Sequence, residues 1–135
     1  MEIRTYREGE GDKLRTFWLA CGIHIRPGDD DRALARFAAR NEDLALLAID
    51  GGRIVGSALA GWDGRRGWLH HVATHPDERR HGIGRTLVET LETRLRALGC
   101  PKVNLLVNDG NTWGMSFWEA VGYKREKTVE FGKEL

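Results

Sequence analysis

The 135-residue sequence has little cysteine, little proline and no excess of charge of either sign. Its two cysteines, Cys21 and Cys100, lie far apart, and neither they nor the five scattered histidines have the spacing of a zinc site. We therefore expect no metal, no disulfide framework and a reduced, cytoplasmic setting. The 21 Lys and Arg residues balance 20 Asp and Glu residues, which argues against a nucleic-acid-binding module and leaves any anion site local.

Long apolar runs are also missing. The amino terminus is charged from Glu2, and no run approaches the roughly 20 apolar residues that cross a bilayer. The sequence therefore predicts neither a membrane partner nor a secretion signal. A chain of this length can bury a core as one unit, so a single domain over 1–135 is expected.

Hydrophobic spacing and glycine positions predict a chain of alternating strands and helices. The predicted strands span residues 2–6, 44–49, 53–62, 67–74, 102–107 and 123–131. The predicted helices lie near residues 14–21, 34–38, 84–98 and 111–120. Asp30 or Asp31 is well placed to cap the second helix.

A segment rich in glycine and arginine, residues 79–85 with the sequence RRHGIGR, joins the strand at 67–74 to the helix at 84–98. Its amides would lie at a helix N-terminus, where the helix dipole favours phosphate. Gly82 and Gly84 would let the backbone approach an anion without a Cβ, and the arginines add positive charge. Neither a P-loop nor a dinucleotide fingerprint is present, and glycines that only allow close helix packing are the structural alternative.

The pattern His75-Pro76-x-x-Arg79-x-x-Gly82-x-Gly84 resembles the acetyl coenzyme A motif of the GNAT superfamily of N-acetyltransferases. The segment 111–123, from the asparagine to Trp-Glu-Ala-Val-Gly-Tyr, is similar to a second family motif. The resemblance covers nearly the whole chain. It implies an α/β fold, a single domain whose mixed sheet of about six strands has flanking helices and a V-shaped splay between the fourth and fifth strands.

By this resemblance, acetyl-CoA is the co-substrate and a primary amine of a small molecule or peptide is the acceptor, which attacks directly. The pyrophosphate would lie on the amides of residues 79–84, and the pantetheine arm would pair with backbone at 72–74. A homodimer is compatible with the sequence but not required by it. The implied cofactor-binding residues are Val72, Ala73, Thr74, Arg79, Arg80, His81, Gly82, Ile83, Gly84, Arg85 and Asn111.

Acetyl transfer needs a base for the amine, a donor to the thioester carbonyl and a proton for the thiolate. Strict strand alternation would place the neighbours His70 and His71 on opposite faces, with His70 beside Val72 and Thr74. The arylalkylamine branch of the family has a histidine matching His70. We therefore predict His70 as the base, with a structural role for either histidine as the alternative, and a strand amide near residues 72–73 as the donor.

Trp118 stands where many family members carry a tyrosine that protonates the thiolate. An indole N–H donates a hydrogen bond but does not readily release its proton, so Trp118 is expected to wall the thioester pocket, with Ser116 or an ordered water as the acid. Leu106 stands where some peptide N-terminal acetyltransferases carry a glutamate. The departure at Trp118 leaves open a second function, a module that binds acetyl-CoA or CoA with little or no turnover.

The acceptor pocket should involve the first two helices, their loop and the strands around the splay. Core packing of the tryptophans, and a solvated turn with a helix cap for the aspartates, are the structural alternatives. The candidates for contact with the acceptor are Trp18, His24, Arg26, Asp29, Asp30, Asp31, Trp62, Trp68 and Trp113.

Overall fold

The computed structural model describes residues 1–135, which divide into two compact units, Met1–Leu105 and Leu106–Leu135. The elements of the first unit are β1 (Glu2–Thr5), α1 (Gly11–Ala20), α2 (Asp31–Arg40), β2 (Ala45–Asp50), β3 (Arg53–Trp62), β4 (Gly67–Thr74), a short 3-10 helix (Pro76–Glu78), α3 (Ile83–Ala97) and β5 (Val103–Leu105). The second unit contains one helix, α4 (Thr112–Ala120). None of these helices has the length and apolar character needed to cross a bilayer.

The five strands form one mixed sheet in the order β1-β2-β3-β4-β5. All neighbouring pairs are antiparallel except β4 and β5, which are parallel. The α/β fold class is thus confirmed, with five strands in place of about six. β5 pairs only with Gly67–Leu69 at the start of β4, so residues 70–74 extend past the end of β5. The two strands thus stop pairing where the sequence predicted the V-shaped splay.

The strand predicted over residues 123–131 is absent. The chain after α4 has no regular structure, and its apolar side chains Val129 and Phe131 are 82% and 94% exposed. A strand is stabilised by a hydrogen-bonded partner and by burial of alternate side chains. This highly charged segment forms no ladder and leaves its two apolar side chains in solvent, so the prediction was wrong.

The two faces of the sheet are covered by different helices. Leu14, Phe17 and Trp18 of α1 and Leu34 of α2 form a buried cluster with Leu59 of β3. α3 packs on the opposite face, where a Cβ on Gly56 would lie only 2.7 Å from Ile83 Cγ2. The backbone of β3 therefore approaches α3 at a position that only glycine can occupy without displacing the side chains of Ile83 and Leu87.

β4 has a β-bulge directly after His70. The register passes from Leu59 opposite His70 to Ser57 opposite Ala73, so two residues of β4 face one residue of β3. At the bulge, His71 has a positive φ of 48°, which is uncommon for a residue other than glycine. Strict alternation was therefore wrong for this strand. Ala73 packs against the α1 and α2 cluster, whereas Thr74 lies opposite Gly56, on the α3 face.

Candidate active site

The predicted phosphate-binding segment forms the N-terminus of α3. Gly82 is the N-cap residue, with a φ of 77° that suits glycine, and no side chain caps the helix. The first turn contains no acidic residue. The amide of Thr86 donates to the Gly82 carbonyl at 3.0 Å, and the helical amides before it find no acceptor inside the helix. The positive end of a 15-residue helix, which no side chain caps, thus directs the amides of Ile83 and Gly84 toward an anion.

The arginines and the histidine of the segment lie at the surface. His81 Nδ1 is 3.5 Å from Glu78, and Arg85 Nη1 is 3.5 Å from Glu89. Surface contacts of this kind contribute little to stability, so the exposed side chains of His81 and Arg85 can exchange their partners for a bound anion. The exposed residues are Arg79, Arg80, His81 and Arg85. Ile83 and Gly84 are buried, so they can offer a ligand only backbone groups.

The end of β4 leads into this helix terminus. Val72, Ala73 and Thr74 are half-buried, and the amide of His75 still donates to Val55 of β3 at 2.8 Å. β3 thus holds one edge of β4 to its end, whereas no strand pairs with the other edge over residues 70–74. Peptide groups along such an edge can pair with an extended ligand.

His70 is the first residue of β4 beyond the end of β5. Its ring lies edge-on to Phe37 of α2, with the centroids 6.1 Å apart, and its side chain is exposed. Crowding by neighbouring atoms desolvates the ring and, together with His71, lowers the pKa of His70 from its usual value, against the opposing effect of Asp29. The imidazole is therefore neutral near pH 7 and can accept a proton.

His71 lies on the same face of the sheet as His70. Its Nε2 is 3.0 and 2.9 Å from the two carboxylate oxygens of Asp29, and its ring centroid is 4.4 Å from that of Trp18 in α1. The alternation argument for choosing His70 over His71 therefore fails. Access favours His70 instead, because its ring is exposed while Asp29 engages Nε2 of His71.

Two buried polar groups fix the backbone of the bulge. Trp18 Nε1 donates to Ser57 Oγ at 2.9 Å, and the Ser57 hydroxyl donates to the carbonyl oxygen of His71 at 2.7 Å. Trp18 and Ser57 are both fully buried. Trp18 is thus a core residue, which agrees with the alternative of core packing and not with contact with the acceptor. The sequence reasoning missed Ser57, although a serine inside the apolar run of β3 is a signal for a buried hydrogen bond.

The three aspartates before α2 have separate structural roles. Asp29 is only 7% exposed, so the alternative that the aspartates form a solvated turn is wrong for this residue. Asp30 accepts from the amide of Ala33 at 2.8 Å, which confirms the predicted cap of α2. Asp31 lies 2.8 Å from Arg15 Nη2. Among the other acceptor candidates of the first unit, His24, Arg26 and Trp68 are exposed and Trp62 is half-buried.

In the second unit, Asn111 caps α4. Its side-chain oxygen accepts from the amide of Gly114 at 2.9 Å. Trp118 packs edge-to-face on Phe117 and Tyr123, with centroid distances of 5.0 and 5.1 Å. Ser116 and Trp113 are exposed. The capping bond gives Asn111 a structural role, while ligand contacts of Asn111, Ser116, Trp113 and Trp118 stay predictions.

Known proteins are similar to this chain in sequence or in fold. The acetyltransferase (GNAT) family profile matches residues 12–123. An acetyltransferase of Pectobacterium atrosepticum is 36% identical over 136 aligned residues, covering 100% of this chain and 96% of that protein. The PaiA N-acetyltransferase of Thermoplasma acidophilum in complex with coenzyme A has a TM-score of 0.82 at 22% identity, over 95% of this chain and 92% of that one. An aminoglycoside N-acetyltransferase in complex with CoA has a TM-score of 0.73 at 20% identity, over 98% and 93% of the two chains.

At these identities the two solved structures establish likeness of fold alone. The family profile covers most of the chain, and the bacterial relative is similar over the whole of this chain and 96% of its own length. The resemblance drawn from the glycine segment is thereby confirmed. The chain belongs to the GNAT family of acetyltransferases.

Proposed function

We propose that the protein transfers the acetyl group of acetyl-CoA to a primary amine of a small molecule or a peptide. The uncapped N-terminus of α3, which follows the part of β4 that no strand pairs on its outer edge, is the observation that carries this proposal. CoA has a pyrophosphate beside an extended arm with two amide groups. The helix end suits the pyrophosphate, and the edge of β4 at residues 72–74 suits the arm.

The proposed reaction is a direct attack. The amine nitrogen bonds to the thioester carbonyl carbon, the carbon–sulfur bond breaks, and the electron pair leaves on sulfur. A backbone amide at the β4 bulge donates to the carbonyl oxygen while negative charge develops there. This role suits the bulge because the extra residue leaves a peptide group without its partner on β3.

His70 is the proposed base. It takes the proton from the attacking amine, directly or through a water molecule, and its lowered pKa keeps the ring ready for this step at neutral pH. The thiolate also needs a proton. We assign that step to Ser116 or an ordered water, because the indole of Trp118 does not readily release its proton.

Thiol release from acetyl-CoA, measured with a panel of primary amines and peptides, tests this proposal. We expect release that depends on both an acceptor and the concentration of protein. The tryptophan at position 118 favours a second candidate, a CoA-binding module without turnover. Saturable binding of CoA with no thiol release for any acceptor would support that module and overturn the transferase.

A further inference from the structure

The bulge of β4 occurs at a histidine, not at a glycine. A positive φ at a side-chain-bearing residue is unfavourable and persists only where contacts hold it. Glycine at position 71 would adopt the same φ of 48° without support but would also allow other conformations. The contacts of His71 therefore decide how well the bulge is fixed.

The side chain of His71 is held by a carboxylate that is itself immobilised. Asp29 lies in the loop between α1 and α2, and both of its carboxylate oxygens are within 3.0 Å of His71 Nε2. Its Oδ2 also accepts from the amide of Arg26 at 2.9 Å, and its backbone carbonyl accepts from Arg15 at 3.1 Å. The carboxylate is thus fixed by its own loop before it binds the histidine.

The backbone of His71 is held by a second set of contacts. Ser57 donates to its carbonyl oxygen, and Trp18 both donates to Ser57 and packs its ring against the imidazole. These contacts form a closed circuit through α1, β3 and β4. We call Asp29, Trp18 and Ser57 the His71 clamp.

We infer that Asp29 and His71 are positioning residues for acetyl transfer, because the clamp holds the β4 bulge in the conformation that presents a backbone amide to the thioester carbonyl. The inference rests on the proposed function. Neither side chain exchanges a proton with the substrate in this role. Their effect reaches the reaction through the backbone, and a donor to a developing oxyanion is effective only when its placement is fixed.

A set of variants at position 71 separates positioning from chemistry. His71→Gly keeps access to positive φ, whereas His71→Val removes it because a β-branched residue cannot adopt that region without strain. We expect kcat to fall more in His71→Val than in His71→Gly, with similar KM for acetyl-CoA. Equal losses of kcat in the two variants would overturn the inference, because they would show that the imidazole itself matters.

Asp29→Ala tests the carboxylate. In the wild-type background it should lower kcat by a factor on the order of 10 to 100 with little change in KM for acetyl-CoA. In the His71→Gly background it should have almost no further effect, because its partner is gone. Asp50→Asn, which alters an exposed carboxylate at the end of β2, is the matched control and should leave kcat unchanged. Additive losses in the double variant would assign Asp29 a separate role and overturn the inference.

Hydrogen exchange of ligand-free protein distinguishes failure of this inference from failure of the proposed function. Asp29→Ala should speed amide exchange over residues 70–74, while exchange in α3 remains slow. If wild-type protein turns over but Asp29→Ala keeps full kcat or unchanged exchange, the positioning role is wrong. If wild-type protein acetylates no amine, the proposed function fails and the catalytic role with it. Faster exchange would then still show that the clamp holds the strand.

Discussion

His70 and His71 are consecutive residues of one strand, yet both rings lie on the sheet face covered by α1 and α2. The bulge after His70 produces this arrangement by adding one residue to β4 opposite Ala58. One ring is exposed and has a lowered pKa, and the other is tied to a buried carboxylate. The two histidines therefore suit the different roles proposed for them: His70 accepts a proton, and His71 holds the backbone in place.

Replacement of His70 by alanine should lower kcat by a factor on the order of 10² or more, because it removes the proposed base. A base acts in its neutral form, so the wild-type rate should rise with pH through the pKa of His70. Desolvation and His71 lower that pKa, so the acidic limb should lie at a lower pH than that of an ordinary histidine. The pH profile of kcat/KM should show this limb in the wild type but not in His70→Ala.

The coenzyme affinity of His70→Ala provides the control. Its melting temperature should rise with CoA as in the wild type, because the alanine variant retains the helix terminus of α3. If His70→Ala keeps both the rate and the acidic limb, the base is a different group and the assignment of His70 is wrong.

Substitutions at Gly82 test where the pyrophosphate of CoA binds. A Cβ at this position would meet no atom within 4 Å, and Asn and Asp tolerate positive φ better than other side chains, so both variants should fold. A ligand at 100 times its Kd stabilises the native state by about 2.7 kcal/mol, which should raise the melting temperature of the wild type by roughly 10 °C. We expect Gly82→Asp to abolish this shift and the isosteric, neutral Gly82→Asn to reduce it.

Competition experiments complete this test. CoA should displace acetyl-CoA effectively and adenosine only poorly, because the proposed site at the helix amides is selective for phosphate. A folded Gly82→Asp variant with the wild-type shift would place the pyrophosphate elsewhere on the protein.

Substitutions at Trp118 test the effect of a tryptophan where many family members carry a tyrosine. Trp118→Phe should keep a substantial part of the rate, because an aromatic ring remains while the indole N–H is lost. Trp118→Tyr supplies a hydroxyl that can protonate a thiolate, and we expect the rate to rise. Steady-state rates at saturating acetyl-CoA measure both effects. A collapse of kcat in Trp118→Phe at unchanged CoA affinity would show that the indole N–H is essential.

Cys21 should be an unreactive thiol. Burial raises its pKa to about 11, with Arg79 opposing, and its sulfur lies 3.6 Å from the carbonyl oxygen of Thr74. At pH 8 only roughly 0.1% of such a thiol is ionised, and the thiolate is the reactive form. In Cys100→Ser, alkylation by iodoacetamide should therefore be slow at pH 8 and accelerate up to about pH 10. A rate that levels off near pH 9 would contradict the raised pKa.

The sequence was sufficient to predict the part of the fold that rests on periodic patterns. The bounds of β3 and β4 agree with the prediction, because turn residues bracket both apolar segments. The leucine stripe identified α3 since its side chains recur at the spacing of one helix face. The order of β4, the glycine segment and α3 then located the uncapped helix terminus.

Periodic patterns could not predict the bulge of β4. No glycine or asparagine marks position 71, and the contacts that hold it come from Asp29 and Trp18, both distant in sequence. Alternation assumes a regular ladder, so it could not predict two neighbouring histidines on one face. The burial of Asp29 was missed for the same reason, because its partner is provided only by the tertiary fold.

Transfer of a labelled acetyl group to an amine tests the central claim most directly. The protein would be incubated with acetyl-CoA that is isotopically labelled in the acetyl group and with mixed small amines and peptides, and all products would be identified by mass spectrometry. We predict the label on the nitrogen of one or a few primary amines, in an amount that matches the CoA released. Label that remains on CoA, or appears only as free acetate, would contradict the account.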